Sequence, residues 1–285
     1  MGEATALVEW VRMLALTMTQ AGEPGVLLQH VSPLVYLDHW ALRRFSEDSD
    51  LGARLTGILR DRGGTLALSW LNLGEYAAVS DPKQRRAAEQ FVEGILPAVF
   101  CVQVDLATVD KRERAQDPLP HADPDLSLLF VRGREGLKTI TATGLFEVYD
   151  ETLARTKDRL ATIVQGRLEF LRRTHREDDS FRKAVMRAYD PTAIQATTRT
   201  KAIVRSLAAT FFPDPKRTIK PNDAIDFLHA AVPVTYCDVV LLDGGTADLV
   251  ERARRKLNGT GLRMATVFQG RGDGVERFLA HLEEA

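Results

Sequence analysis

The spacing of apolar positions divides the chain into short continuous runs and longer stretches of helical period. The runs "PLVYLD" (33–38), "TLALS" (65–69), "AVFCVQV" (98–104), "VVLL" (239–242) and "RMATVF" (263–268) have the length and content of buried strands. Between them lie stretches that read as helices: 39–45, 50–61, "WLNLGEYAAV" (70–79), 81–96, "NDAIDFLHAA" (222–231), 246–257 and 273–284. "RGG" at 62–64 stops the second of these, and Ser69 is placed to cap the third. Residues 4–20 are apolar but carry Glu9 and Arg12, which predicts a leading amphipathic helix.

The pattern changes after the Pro-rich stretch "QDPLPHADPD" (116–125). From about 127 to 220 strand-like runs largely disappear, and helical period takes over in 149–174 and 180–189 until "FFPDPKRTIKP" (211–221). Strands alternating with helices predict an α/β fold with a parallel sheet covered on both faces. The simplest division has an N-terminal helical extension (1–30), a discontinuous α/β domain (31–115 and 220–285) and an inserted helical module (125–215).

Composition adds little: 285 residues, 45% apolar and 27% charged, describe an ordinary globular chain with net charge −1. The two cysteines, Cys101 and Cys237, form no CxxC pair and read as buried thiols in a cytoplasmic protein. No run reaches the ~18 apolar residues of a membrane span. Charge is more informative when divided. Residues 127–220 carry +8 and the rest −9, a basic helical stretch on an acidic α/β body. Clustered positive charge of this kind suits contact with a polyanion, with Arg172, Arg173, Arg182 and Lys183 as candidate phosphate contacts.

Open parallel sheets place their sites beyond the C-terminal strand ends. Asp38 follows "LVYL", Asp243 follows "VVLL", and Glu75 lies on the helix after "TLALS". Asp223 and Asp226 share one helix face, with His229 one turn further on, where a supporting role fits better than metal ligation. Asp238 precedes the strand that ends in Asp243, and Asp105 reads as a loop acid. Carboxylates gathered at one sheet edge repel one another unless cations neutralise them, and oxygen donors suit Mg²⁺ or Mn²⁺.

Three stretches then carry a family resemblance. "VYLDHWAL", "LSWLNLGEYAAV" and "NDAIDFLHAAVPVTYCDVVLLDGG" resemble, in order, the acidic motifs of PIN-domain nucleases. The resemblance implies a Rossmann-like three-layer sandwich with a central parallel sheet. It implies a site of two Mg²⁺ or Mn²⁺ ions held by Asp38, Glu75, Asp226 and Asp243, with Asp223 and Asp238 as further candidate ligands. It also implies hydrolysis of RNA, or of single-stranded or structured DNA, to 5′-phosphate and 3′-hydroxyl products. His39 and Leu242 stand where many members carry Ser or Thr. The resemblance spans the two α/β pieces only.

Other classes fit less well. A haloacid-dehalogenase phosphatase needs a second acid at position 40, which is Trp40. Phosphate-binding glycine loops are absent, since "GRGDG" (270–274) has the wrong spacing. Two alternatives stay open: a PIN-like RNA- or protein-binding module without catalysis, and a toxin-type nuclease whose acidic cleft a regulatory protein covers. Homo-oligomerisation is equally open.

Overall fold

The structure is a computed structural model that describes residues 14–18, 24–134, 137–187, 193–194, 197–212 and 218–284. Its centre is a five-stranded parallel sheet of β3 (Leu34–Leu37), β4 (Thr65–Ser69), β5 (Val99–Val102), β8 (Val239–Leu242) and β9 (Thr266–Gln269). The spatial order is β5-β4-β3-β8-β9, so the chain reverses direction across the sheet between β3 and β8. β3, β4, β5 and β8 are buried along their whole length, which is why their sequences are continuous apolar runs. The outer edge of β5 is covered by residues 121–123, through Gln103 N–H to His121 O and Asp123 N–H to Cys101 O, both 2.8 Å.

Helices α1 (His39–Glu47), α2 (Ser49–Arg62) and α4 (Pro82–Ile95) pack together, and α2 also meets α12 (Gly274–Glu284). A second group comprises α5 (Leu106–Arg114), α9 (Arg199–Ala208), α10 (Pro221–Tyr236) and α11 (Gly244–Lys256). Three helices follow their strands with no loop, because the residue after or ending the strand caps the helix. Asp38 caps α1, Ser69 caps α3 (Trp70–Ala77) in a box with Asn72, and Asp243 caps α11. α/β organisation with a central parallel sheet is therefore present as expected.

Two expectations about organisation are corrected. Residues 14–18, read as part of a helix, form β1 (Leu14–Met18), paired antiparallel with β2 (Pro24–Leu28). A five-residue apolar run carries no decisive period, and a facing strand settled its form. Residues 1–13 lie outside the described residues.

The stretch 125–215 is not wholly helical, nor does it pack as a body of its own. It begins with α6 (Pro124–Leu128) and a hairpin, β6 (Val131–Arg134) and β7 (Leu137–Ile140). The 33-residue α7 (Leu145–Glu177) then packs on α3 and α10, with Leu153, Val164 and Leu168 in the same core as the sheet. α8 (Asp179–Arg187) follows. No helix among the described residues is long and apolar enough to cross a membrane.

Close approach of α3 and α7 rests on Gly74. A Cβ there would fall 2.7 Å from the Leu153 carbonyl oxygen and 2.7 Å from Lys157 Cβ. Helix propensity alone would make Gly74→Ala stabilising by about 1 kcal/mol. The contact reverses the sign, and we expect a net loss of about 1–3 kcal/mol in chemical denaturation. A more stable variant would show that α7 does not seat against α3 this way.

Candidate active site

The strand order reverses between β3 and β8, and the space beyond their C-terminal ends is the usual ligand position in such sheets. Asp38 and Asp243 occupy it as consecutive ends of neighbouring strands. Asp38 N–H donates to Leu241 O (3.1 Å), and Asp243 N–H donates to Asp38 Oδ2 (2.5 Å). Asp38 Oδ1 accepts from Ala41 N–H at 2.8 Å, as a helix cap. Asp243 Oδ1 accepts from Gly245 N–H (2.7 Å) and Thr246 N–H (3.2 Å), while its Oδ2 accepts from the Thr246 hydroxyl.

Burial pushes the Asp38 carboxyl up to about 6, and the nearby charge of Asp243 adds to the rise. His229 and the N–H groups of Ala41 and Asp243 oppose it. Asp226, on the second turn of α10, is pushed to about 7 by burial and then by Asp243, against His229, with Glu75 and Asp223 adding to the rise. Asp226 is therefore within electrostatic reach of Asp243, Glu75 and Asp223. Among the described residues it has no hydrogen-bond partner.

Glu75 belongs to a buried polar chain. Its Oε2 lies 2.7 Å from His229 Nε2, His229 Nδ1 lies 2.5 Å from the Tyr36 hydroxyl, and that hydroxyl lies 3.1 Å from Ser69 Oγ. Ser69 Oγ donates to Asn72 Oδ1 (2.9 Å), and Asn72 Nδ2 donates to Leu37 O (2.9 Å). Burial works to raise the Glu75 carboxyl, but the charge and hydrogen bond of His229, with His39 and Lys157, bring it below its ordinary value. Burial works to lower His229, but Glu75, Asp38 and Asp226 raise it. The pair is thus a buried ion pair, and the supporting role expected of His229 is the one its contacts describe. Truncating His229 leaves Tyr36 and Glu75 short of partners and opens a cavity. We expect His229→Ala to cost about 2–4 kcal/mol, read by denaturant unfolding. A loss under 1 kcal/mol would mean that the chain does not hold the core.

His39 also faces Glu75. Its Nδ1 is buried, has no hydrogen-bond partner among the described residues and lies 4.0 Å from Glu75 Oε2. Lys157 of α7, mostly buried, stands on the same side and contributes to lowering both Glu75 and His39.

The remaining candidates divide. Asp223 is at the rim, its Oδ2 accepting from Lys220 N–H at 2.8 Å in the first turn of α10. Asp238 is a correction. It precedes β8 and so lies at the opposite end of the strand from Asp243, about 16 Å away at ~3.3 Å per residue. There its Oδ2 accepts from Leu34 N–H (2.9 Å) and its Oδ1 lies 3.5 Å from Arg263, so it does not belong to the cluster. Asp105 caps α5. Cys101 and Cys237 are buried free thiols.

Of the basic candidates, Arg172 pairs with Glu169 (3.0 Å). Arg182 donates to the carbonyls of His175 (3.0 Å) and Arg176 (2.6 Å) at the end of α7 and pairs with Asp179. Arg173 and Lys183 are exposed. Arg172 and Arg173 lie about 22 Å further along α7 than Lys157, at 1.5 Å per residue. Lys157, nearer the start of α7, is the α7 cation whose charge reaches Glu75.

An all-oxygen cluster with carboxyls pushed up to about 6 and 7, beside an unpartnered imidazole nitrogen, suits a divalent cation. As placed, no three Asp, Glu, His or Cys side chains among the described residues gather as a metal-holding group. Asp38 and Asp243 give their oxygens to N–H and hydroxyl donors, and Glu75 gives Oε2 to His229. No family model matches the chain, and neither a curated protein nor a solved structure does.

Proposed function

We propose that the protein is a Mg²⁺- or Mn²⁺-dependent nuclease, with RNA as its first substrate class, leaving 5′-phosphate and 3′-hydroxyl ends. One observation supports this most: Asp38 and Asp243 end the two strands at the reversal point, hydrogen-bonded to each other, with Asp226 pushed to about 7 partly by the negative charge around it. Such a cluster is costly to keep unless a cation or a proton neutralises it.

Asp38, Asp226, Asp243 and Glu75 would hold the ions, with Asp223 at the margin and His39 Nδ1 as a nitrogen donor. Bound ions would neutralise the phosphate and the charge developing on the leaving oxygen. The residues themselves divide the work. Asp38 and Asp243 are fixed by backbone N–H groups. Glu75 is held ionised and oriented by His229. Asp226, without a partner, is free to accept a hydrogen bond from an attacking water and aim it. Lys157, 3.4 Å from Asp158, would add positive charge on the Glu75 side of the acids.

The test is end-group analysis of labelled RNA and DNA oligonucleotides incubated with Mn²⁺. Fragments with 5′-phosphate and 3′-hydroxyl ends, lost on adding EDTA, are expected. Cleavage that survives EDTA, or cyclic-phosphate ends, would overturn the proposal. The second reading is a PIN-like binding module without catalysis. It draws on the absence of a gathered three-residue group among the described residues, and it predicts oligonucleotide binding with no cleavage under any metal.

A further inference from the structure

On the β9 side of the acid pair, two glycines are overlain by side chains that the cluster itself does not use. Trp40, two residues after Asp38, lies with its ring against Gly270. A Cβ there would fall 2.5 Å from Cη2 of the ring. Arg271 lies across Gly244, the residue that follows Asp243, and a Cβ at Gly244 would fall 2.5 Å from its Cζ. The loop carrying both contacts is fastened to the site, since Gly270 N–H donates to Leu242 O at 3.0 Å. "GRGDG", which fits no phosphate-loop spacing, thus supplies both the backbone on which the indole lies and the guanidinium that lies across Gly244, beside Asp38 and Asp243.

Both groups face solvent. Trp40 is 37% exposed, although its ring is packed on one side. Arg271 is exposed and, among the described residues, has no hydrogen bond or ion pair. It borders a cavity with Asp248, Glu251 and Arg277, yet among the described residues pairs with neither acid. A partly exposed indole packed against a glycine, next to an exposed guanidinium with no partner among the described residues, suits one nucleotide of a single strand: a base to stack and a phosphate to pair. The opposite flank carries Lys157, so a strand crossing the acids would meet a cation on each side.

Resting on the nuclease reading, we infer that Trp40 and Arg271 form a clamp for a single-stranded nucleotide adjoining the phosphodiester presented to the acids. Trp40 stacks the base, and Arg271 pairs with its phosphate. A duplex, whose bases are already stacked on each other, has no base to give Trp40, so the clamp selects single-stranded segments.

The clamp is tested by binding, apart from cleavage. Fluorescent U12 RNA and T12 DNA are titrated in EDTA with wild type, Trp40→Ala, Trp40→Phe and Arg271→Gln, each checked for an unchanged thermal melt. Trp40→Ala should weaken binding of both strands by about 10-fold or more, the size of one lost base stack, and Trp40→Phe should recover most of it. Arg271→Gln should reduce the slope of log K against log salt by about 0.7, one single-strand phosphate contact. A blunt duplex should be indifferent to Trp40. Binding by Trp40→Ala within 2-fold of wild type, in a folded protein, would overturn the clamp, as would unchanged affinity and salt slope for Arg271→Gln. The two readings fail separately. Trp40-dependent binding with no metal-dependent cleavage would remove the nuclease and keep the clamp. Asp38-dependent cleavage with Trp40-independent binding would do the reverse.

Discussion

Asp38→Asn is expected to reduce Mn²⁺-dependent cleavage by on the order of 10²–10³-fold while the protein stays folded. The substitution is small. Asn remains a good helix cap, and its carbonyl oxygen can still accept from Ala41 N–H. What disappears is the negative charge at the strand end and the oxygen that accepts from Asp243 N–H. Asp243→Asn should act similarly. Asp238→Asn is the informative contrast. This residue belongs to the same short segment, but it lies at the opposite end of β8 and bonds Leu34 N–H, so cleavage should persist at the wild-type rate. Equal cleavage by wild type and Asp38→Asn would assign the activity to another site or another protein. Loss of cleavage in Asp238→Asn with an unchanged melt would put the acid cluster in the wrong place.

A second large effect concerns stability without metal. Asp226 holds its proton to about pH 7 in the folded protein, against an ordinary value of 3.8. The folded state therefore binds the proton more tightly than the unfolded state. Stability contributed by this group is present at low pH, falls between about 4 and 7, and is level above that. The shift corresponds to about 4 kcal/mol, or about 2 kcal/mol once its partial solvent exposure is discounted. Asp226→Asn should thus match wild type near pH 4 and exceed it by about 2 kcal/mol at pH 8, some 4–8 °C in Tm. Asp38, pushed to about 6, adds a smaller slope of the same sign. Buried His121, lowered to about 3, works oppositely, making stability rise with pH up to its unfolded value of 6.5. His30 and His39 act in the same direction as His121. Comparing the two proteins at each pH cancels these terms. Added Mn²⁺ should stabilise wild type more than Asp226→Asn, because a cation does for the carboxylates what the proton does. A constant difference between the two proteins from pH 4 to 8 would show that Asp226 is not among the other acids.

Most of the sheet was legible because its inner strands are buried on both faces and so read as unbroken apolar runs. "TLALS" and "VVLL" match β4 and β8 to the residue. The hairpin of β6 and β7 was not legible. "VRGR" and "LKTI" are half polar and gain their form from pairing with each other. α10 extends past 231 to Tyr236 and carries Pro233 internally, where the local signal favours an earlier end.

The sequence by itself determined which acids end strands. That is a local property of Asp38 and Asp243, and it was readable from one residue and its neighbours. Tertiary structure alone decided which acids meet. Asp238 was already readable at the start of the strand that Asp243 ends, but only the packing of α10 brings Asp226 within electrostatic reach of Asp243 and Glu75. The same holds for Tyr36, Ser69, His229 and Glu75, which come from separate elements and become one hydrogen-bonded chain only when α3 and α10 pack over the sheet. Lys157, Trp40 and Arg271 gave no signal for the same reason. Each has ordinary neighbours in the chain, and its position beside the acids depends on long-range packing, against Gly74, Gly270 and Gly244, that no local spacing encodes.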